Sequence, residues 1–122
     1  MPNAFCHMEL NSTDPEQAKA FYGQLFDWTL EDVPMGEFGN YILVKPGQGP
    51  GGGMMKHPMP GAPSTWLVYI SVDDIHASTD KAQSLGATVL KGVGEVPGMG
   101  HFSILLDPTG AAFALWQPKA KG

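Results

Sequence analysis

Apolar and polar residues alternate along residues 5–11. Cys6, Met8 and Leu10 fall on one side, and His7, Glu9 and Asn11 fall on the other. Period two is the mark of a strand, whose side chains point alternately to its two faces. The spacing changes after Thr13. Ala18, Phe21, Tyr22 and Leu25 stand at i, i+3, i+4 and i+7, which predicts an amphipathic helix. Asp14 suits its N-cap, Pro15 its first position and Glu16 the positive end of its dipole. Strands are then predicted over 27–33 and 40–45, joined by a turn at Met35-Gly36-Glu37-Phe38-Gly39. Residues 46–63 are dense in Gly, Pro and Met and read as loop, apart from a short strand within 51–56 carrying Met54 and Met55.

The second half starts with another two-faced strand over 66–72. Trp66, Val68, Ile70 and Val72 form its apolar face, with Leu67, Tyr69 and Ser71 opposite. Asp73-Asp74 offers an N-cap to a helix with Ile75, Ser78, Ala82 and Leu85 on one side, and Gly86 suits the position after its end. A strand over 88–91, a loop over 92–100 and a strand over 101–106 follow. Asp107-Pro108-Thr109-Gly110 has type I turn chemistry and leads into a last strand over 111–117. Residues 119–122 read as a frayed tail.

An offset of about 60 residues brings the halves into register, the kind of self-similarity that marks a repeated unit. Asp14 then falls on Asp74, His7 on Leu67, Glu9 on Tyr69, Met54 on Ala114 and Lys56 on Trp116. The predicted fold class is α+β: two βαβββ modules, about 3–60 and 64–118, in one domain over 3–118. The modules form a curved mixed β-sheet cleft with the helices outside. If the apolar faces pack on the helices, His7, Glu9, Asn11, Leu67, Tyr69, Ser71, Ala112, Ala114 and Trp116 share the cleft side.

Composition narrows the function. Apolar residues make up 43% of the 122, enough for a packed core. Lys and Arg number 7 against 12 Asp and Glu, so no basic stripe exists for nucleic acid. No apolar run approaches the roughly 20 residues of a membrane span, and no basic-then-apolar leader opens the chain. A cytoplasmic protein with neither nucleic-acid nor membrane partner is the expectation. The single cysteine, Cys6, excludes an internal disulfide and a zinc-binding Cys cluster. It lies on the apolar face and is expected to be buried and unreactive.

Phe5-Cys6-His7-Met8-Glu9-Leu10, followed by Asp14-Pro15 and Ala20-Phe21-Tyr22, resembles the opening of the vicinal oxygen chelate superfamily. That superfamily includes glyoxalase I, bleomycin-resistance proteins and extradiol dioxygenases. Tyr69-Ile70-Ser71-Val72-Asp73-Asp74 resembles the start of its second half. Asp107-Pro108-Thr109-Gly110-Ala111 with Phe113-Ala114-Leu115-Trp116 resembles its closing hairpin, and points to the glyoxalase-like branch with an Asp-Pro-x-Gly-Ala ending. The module occurs once here, and the resemblance implies a homodimer, as single-module members commonly pair. It also implies metal ligands on the first and last strand of each half, places held here by His7, Met54, Leu67 and Ala114. Only His7 is an ordinary ligand for a divalent ion. The expectation is therefore no cofactor, with a divalent metal ion at His7 as the alternative.

The candidate site follows. His7 and Glu9 are the candidates for proton transfer, about 7 Å apart along one strand face. Desolvation in the cleft would raise the Glu9 pKa above the ordinary value of about 4.3. Asn11, Met54, Leu67, Tyr69, Ala114, Trp116 and His101 are the candidates for ligand contact, Tyr69 and Trp116 as aromatic walls and His101 at the cleft mouth. The same residues also have bland readings, His7 as a structural histidine and Glu9 as a surface acid. Two functions stay open: a module that binds a small, partly apolar molecule, and a lyase or isomerase working through His7 and Glu9.

Overall fold

The computed structural model describes residues 3–36 and 39–119. They group into two compact units. One is His7–Leu67, and the other joins the residues before His7 to those from Val68 onward. Each unit reads strand, helix, and three further strands, an α+β arrangement.

In the His7–Leu67 unit the elements are β1 (Phe5–Ser12), α1 (Pro15–Leu25), β2 (Thr29–Pro34), β3 (Asn40–Lys45) and β4 (Gly52–Lys56). The strand order is β2-β3-β4-β1, antiparallel except for the parallel β1–β4 pair. Asp14 caps α1 by accepting from the Gln17 amide at 3.1 Å, and Pro15 opens the helix where its missing N–H costs nothing. Leu10, Ile42, Val44 and Met54 form the core on one sheet face, with Ala18, Tyr22, Trp28 and Leu30 packed over it. Ile42 and Met54 are completely buried, each burial contributing about 1.5–3 kcal/mol. The predicted helical stripe is wider than this contact. Phe21 and Leu25 stay exposed, because Ala18 and Tyr22 alone of the four reach the core. The expected turn at 35–39 includes Glu37 and Phe38, which lie outside the described residues; Met35 N–H donates to Gly39 O at 2.8 Å across it.

The second unit holds β5 (Thr65–Ser71), α2 (Ile75–Ser84), β6 (Thr88–Val96), β7 (Gly100–Leu106) and β8 (Ala112–Pro118). The order is β5-β8-β7-β6, again with one parallel pair, β5–β8. Asp74 caps α2 through the Ala77 amide at 3.1 Å. Val72, Ile75, Leu105 and Leu115 form the core against α2. Thr79, where an apolar residue would be expected, faces inward; its hydroxyl donates to Ile75 O at 2.6 Å and bonds Ser103 at 2.9 Å, so both buried hydroxyls are satisfied. Asp107 organises the β7–β8 turn, accepting from the Thr109 and Ala111 amides.

Two expectations are corrected. The strand over 88–91 continues to Val96, where a loop was expected. Pairing with β7 survives Gly92 and Gly94 through two register shifts, between Val89 and Lys91 and between Lys91 and Gly94. At the other end of the unit, Lys119 is tied by its amide to Met99 O at 2.8 Å, and the rest of the expected tail, 120–122, lies outside the described residues. Among the described residues no helix is long and apolar enough to cross a membrane.

Candidate functional site

β1 organises the site. Leu10 enters the core beneath α1, so the alternation turns His7, Glu9 and Asn11 to the opposite face. Glu9 and Asn11 are buried there and His7 is half-buried. Gly53 of β4 stands opposite Glu9, and Leu43 of β3 stands opposite Gly53. Tyr41, two residues before Leu43, points the same way. Its ring lies over Gly53, where a Cβ would overlap the ring Cζ and the hydroxyl. A glycine in a strand at a close approach is the physical requirement here.

The result is a bridge. The Tyr41 hydroxyl is 2.6 Å from His7 Nε2 and donates to Glu9 Oε1 at 3.2 Å. The imidazole and phenol rings are nearly parallel, with centroids 6.3 Å apart. Burial pushes the His7 pKa below its ordinary 6.5, which favours neutral imidazole at neutral pH. Apolar residues share this face: Leu43, Met55 and Leu67. Trp66 packs on Tyr22 and Trp28 on the α1 side, so Leu67, next along the strand, points the other way and is buried. The face therefore offers a polar group of three side chains with apolar neighbours. A shallow groove of about 470 Å³, lined by Glu16, Lys19, Trp28 and Leu30 among others, lies on the helix side, away from these groups.

In the second unit Tyr69 pairs with Ala114 on the face away from α2, and both are buried. Trp116 follows on the same face. Its ring lies against Gly100, where a Cβ would meet Trp116 Cζ2 at 2.7 Å, so a second glycine makes room for an aromatic ring. Cys6 is half-buried, its thiol donating to Tyr69 O at 3.5 Å. Burial pushes that thiol above its ordinary 9.0, away from reactive thiolate.

Two of the expected ligand contacts are displaced. Met54 is completely buried in the core with Leu10, facing α1. The cause is a change of offset. Glu9 pairs with Gly53 and Tyr69 with Ala114, so the first strands repeat at 60 residues but the last strands at 61. A one-residue slip turns a strand side chain to the other face. Gly53, not Met54, is the counterpart of Ala114, and Met55 that of Trp116. His101 pairs with Gln117 and shares its strand face with Ser103 and Leu105, the side packed on α2. Gln117 on that face accepts from the Ile75 amide at 2.8 Å.

The donor set does not fit a metal centre of the expected kind. Met54 faces the core, Leu67 and Ala114 carry no donor atom, and His7 Nε2 is engaged with Tyr41. Among the described residues no three His, Cys, Asp or Glu side chains converge. Sequence reasoning missed Tyr41, which sits in the apolar run Tyr41-Ile42-Leu43-Val44 and shows no polar alternation. The available signal was Gly53, a glycine inside a strand.

Comparison with known proteins bears on the family and the fold. A family model described as Glyoxalase/Bleomycin resistance protein/Dioxygenase superfamily matches residues 4–115. CFP32 of Mycobacterium bovis, which carries the name of a candidate glyoxylase, is 37% identical over 110 residues, covering 90% of this chain and 42% of that protein. The anthracycline biosynthesis protein DnrV of Streptomyces peucetius is 31% identical over 133 residues, covering 95% of this chain and 47% of its own length. The chain thus spans less than half the length of these relatives. Among solved structures, methylmalonyl-CoA epimerase from Mycobacterium tuberculosis superposes with a TM-score of 0.70 at 14% identity, covering 95% of this chain and 88% of that one. The hypothetical protein BH1468 from Bacillus halodurans superposes with a TM-score of 0.72 at 14% identity, covering 100% and 99%.

Proposed function

The chain belongs to the glyoxalase/bleomycin resistance protein/dioxygenase superfamily, and from that premise we propose that it binds a small, partly apolar molecule on the strand face that carries His7, Glu9 and Tyr41. The observation that carries the reading is the hydroxyl bridge, 2.6 Å to His7 and 3.2 Å to Glu9, beside Leu43, Met55 and Leu67. A ligand with one oxygen-bearing end and an apolar body matches such a face: the polar groups orient it and the apolar ones supply burial. The donor set supports binding without the family's metal.

The bridge also favours a second reading, a lyase or isomerase in which His7 and Glu9 move a proton on the bound molecule. Both groups are hydrogen-bonded to one hydroxyl, an arrangement that mere ligand retention does not require. Calorimetric screening of small aromatic and dicarbonyl compounds, with product analysis of each mixture, separates the two. Binding with the compound recovered unchanged supports the first reading, and conversion supports the second. No heat and no product across the panel would contradict both.

A further inference from the structure

We propose that the sheet face of the second unit that points away from α2 binds a planar aromatic molecule carrying one anionic group, and that Lys91, standing over Phe102, selects the anion. The surface belongs to a different unit from His7, Glu9 and Tyr41 and does not rest on the reading above.

Register places Lys91 there. Val89 of β6 stands opposite Leu105, which lies in the core against α2, and Val89 packs on that core. Strict alternation from this pair would set Leu90 opposite Ile104 and turn Lys91 inward beside Ser103. The register shift between Val89 and Lys91 sets Lys91 opposite Ile104 instead, and Leu90, the extra residue, is exposed. A second shift, between Lys91 and Gly94, sets Gly94 rather than Val93 opposite Phe102, and Val93 packs on the core. Extra residues in a strand re-aim the side chains that follow them. Here two shifts bring a cation and an aromatic ring to one spot.

The Lys91 ammonium lies 5.9 Å from the Phe102 ring centroid, within reach of a cation–π contact. Gly94 leaves the space for it. A Cβ there would stand 3.3 Å from Phe102 Cε1 and 3.4 Å from Lys91 Nζ. Phe102 pairs with Trp116 across β7 and β8, and Ile104 pairs with Ala114. Phe102, Ile104 and Trp116 are each half-buried, so each keeps apolar surface open. Among the described residues of β5 to β8, Lys91 is the one charged side chain on this face. Glu95, the other charged residue of β6, stands opposite His101 on the α2 side. Among the described residues no carboxylate pairs with the Lys91 ammonium.

The ammonium sets three donors and a full positive charge beside an apolar wall. An aromatic body laid on Phe102, Ile104 and Trp116 buries its surface, and a carboxylate or phenolate at its end meets the ammonium. A neutral polar end gains the burial without the charge pair. The chain as a whole carries 12 acidic against 7 basic residues and repels anions at long range. At about 0.1 M salt, charges more than about 10 Å away are largely screened, which leaves the local contact to decide.

The test is an NMR titration at neutral pH with 2-naphthoate and its neutral analogue 2-naphthamide, following backbone amides and the Trp116 indole N–H. Both compounds should shift Phe102, Ile104 and Trp116, with the carboxylate binding roughly 3- to 5-fold more tightly, the range an exposed ion pair supplies. Lys91→Met keeps an apolar stem over Phe102 and removes the charge, and the two compounds should then bind equally. Lys91→Arg should keep the preference. Equal affinities in wild type overturn the proposal and need no variant to fold. Shifts confined to His7–Leu67, the absence of any shift, or a preference that persists in Lys91→Met also overturn it. The readout is residue by residue, so its failure is distinct from failure of the compound panel on the His7 face.

Discussion

His7 links local burial to global stability. The folded state holds its imidazole below the ordinary 6.5, so the unfolded chain binds a proton more readily. Unfolding free energy therefore rises with pH wherever the unfolded state carries more protons. The contribution is present above pH 6.5, is lost as pH falls through 6.5, and stops changing below the folded-state pKa. Urea unfolding between about pH 7 and pH 5 should show this loss in wild type. His7→Gln should flatten that part of the profile, and an equal slope in the variant would assign it elsewhere. The face shared by His7, Glu9 and Asn11 is legible from period two alone. Tyr41 is not, because its position depends on the register of β3 and β1 against β4, and no local pattern encodes register between strands far apart in sequence.

At the scale of elements, most of the chain is written in local chemistry. Asp14-Pro15 and Asp74 announce both helices, and Asp107-Pro108-Thr109-Gly110 announces the last hairpin. Glycine misled twice. Gly92 and Gly94 read as loop yet lie within β6, Gly92 inside a register shift and Gly94 paired with Phe102, and the glycines before Met54 hid which of the two methionines faces inward. A pair of variants checks the corrected register. Met54→Ala removes a completely buried side chain and should destabilise the fold by about 2–5 kcal/mol. Met55 is half-buried on the face of His7, Glu9 and Tyr41, so Met55→Ala should cost less in chemical denaturation while altering ligand binding more. The reverse order of stability losses would restore Met54 to the outer face.

For the whole molecule, membership of the superfamily was legible from the opening strand, the Asp-capped helices and the closing hairpin, and the family match over residues 4–115 bears it out. Function was less legible, because of the four places where the resemblance implies metal ligands only one, His7, holds an ordinary ligand, and Met54, Leu67 and Ala114 name no chemistry. The related proteins are more than twice as long as the stretch they share with this chain. We propose that a second copy of this chain covers the exposed Phe21, Leu25, Phe26 and Trp66 of the His7–Leu67 unit. Light scattering at micromolar concentration should give twice the 13.0 kDa chain mass, and a monomer would contradict this.

The central claim is that Glu9 and its bridge to His7 hold the polar end of a ligand. Its most direct test is calorimetry of Glu9→Gln with any compound that wild type binds. Glutamine keeps the shape of the side chain and removes its charge, and a hydrogen bond to a charged group contributes about 1.5–3 kcal/mol. The account predicts binding weakened by roughly 10-fold or more, with an unchanged circular dichroism spectrum. Undiminished affinity in a folded Glu9→Gln variant would contradict it, leaving His7, Tyr41 and Glu9 as parts of the scaffold.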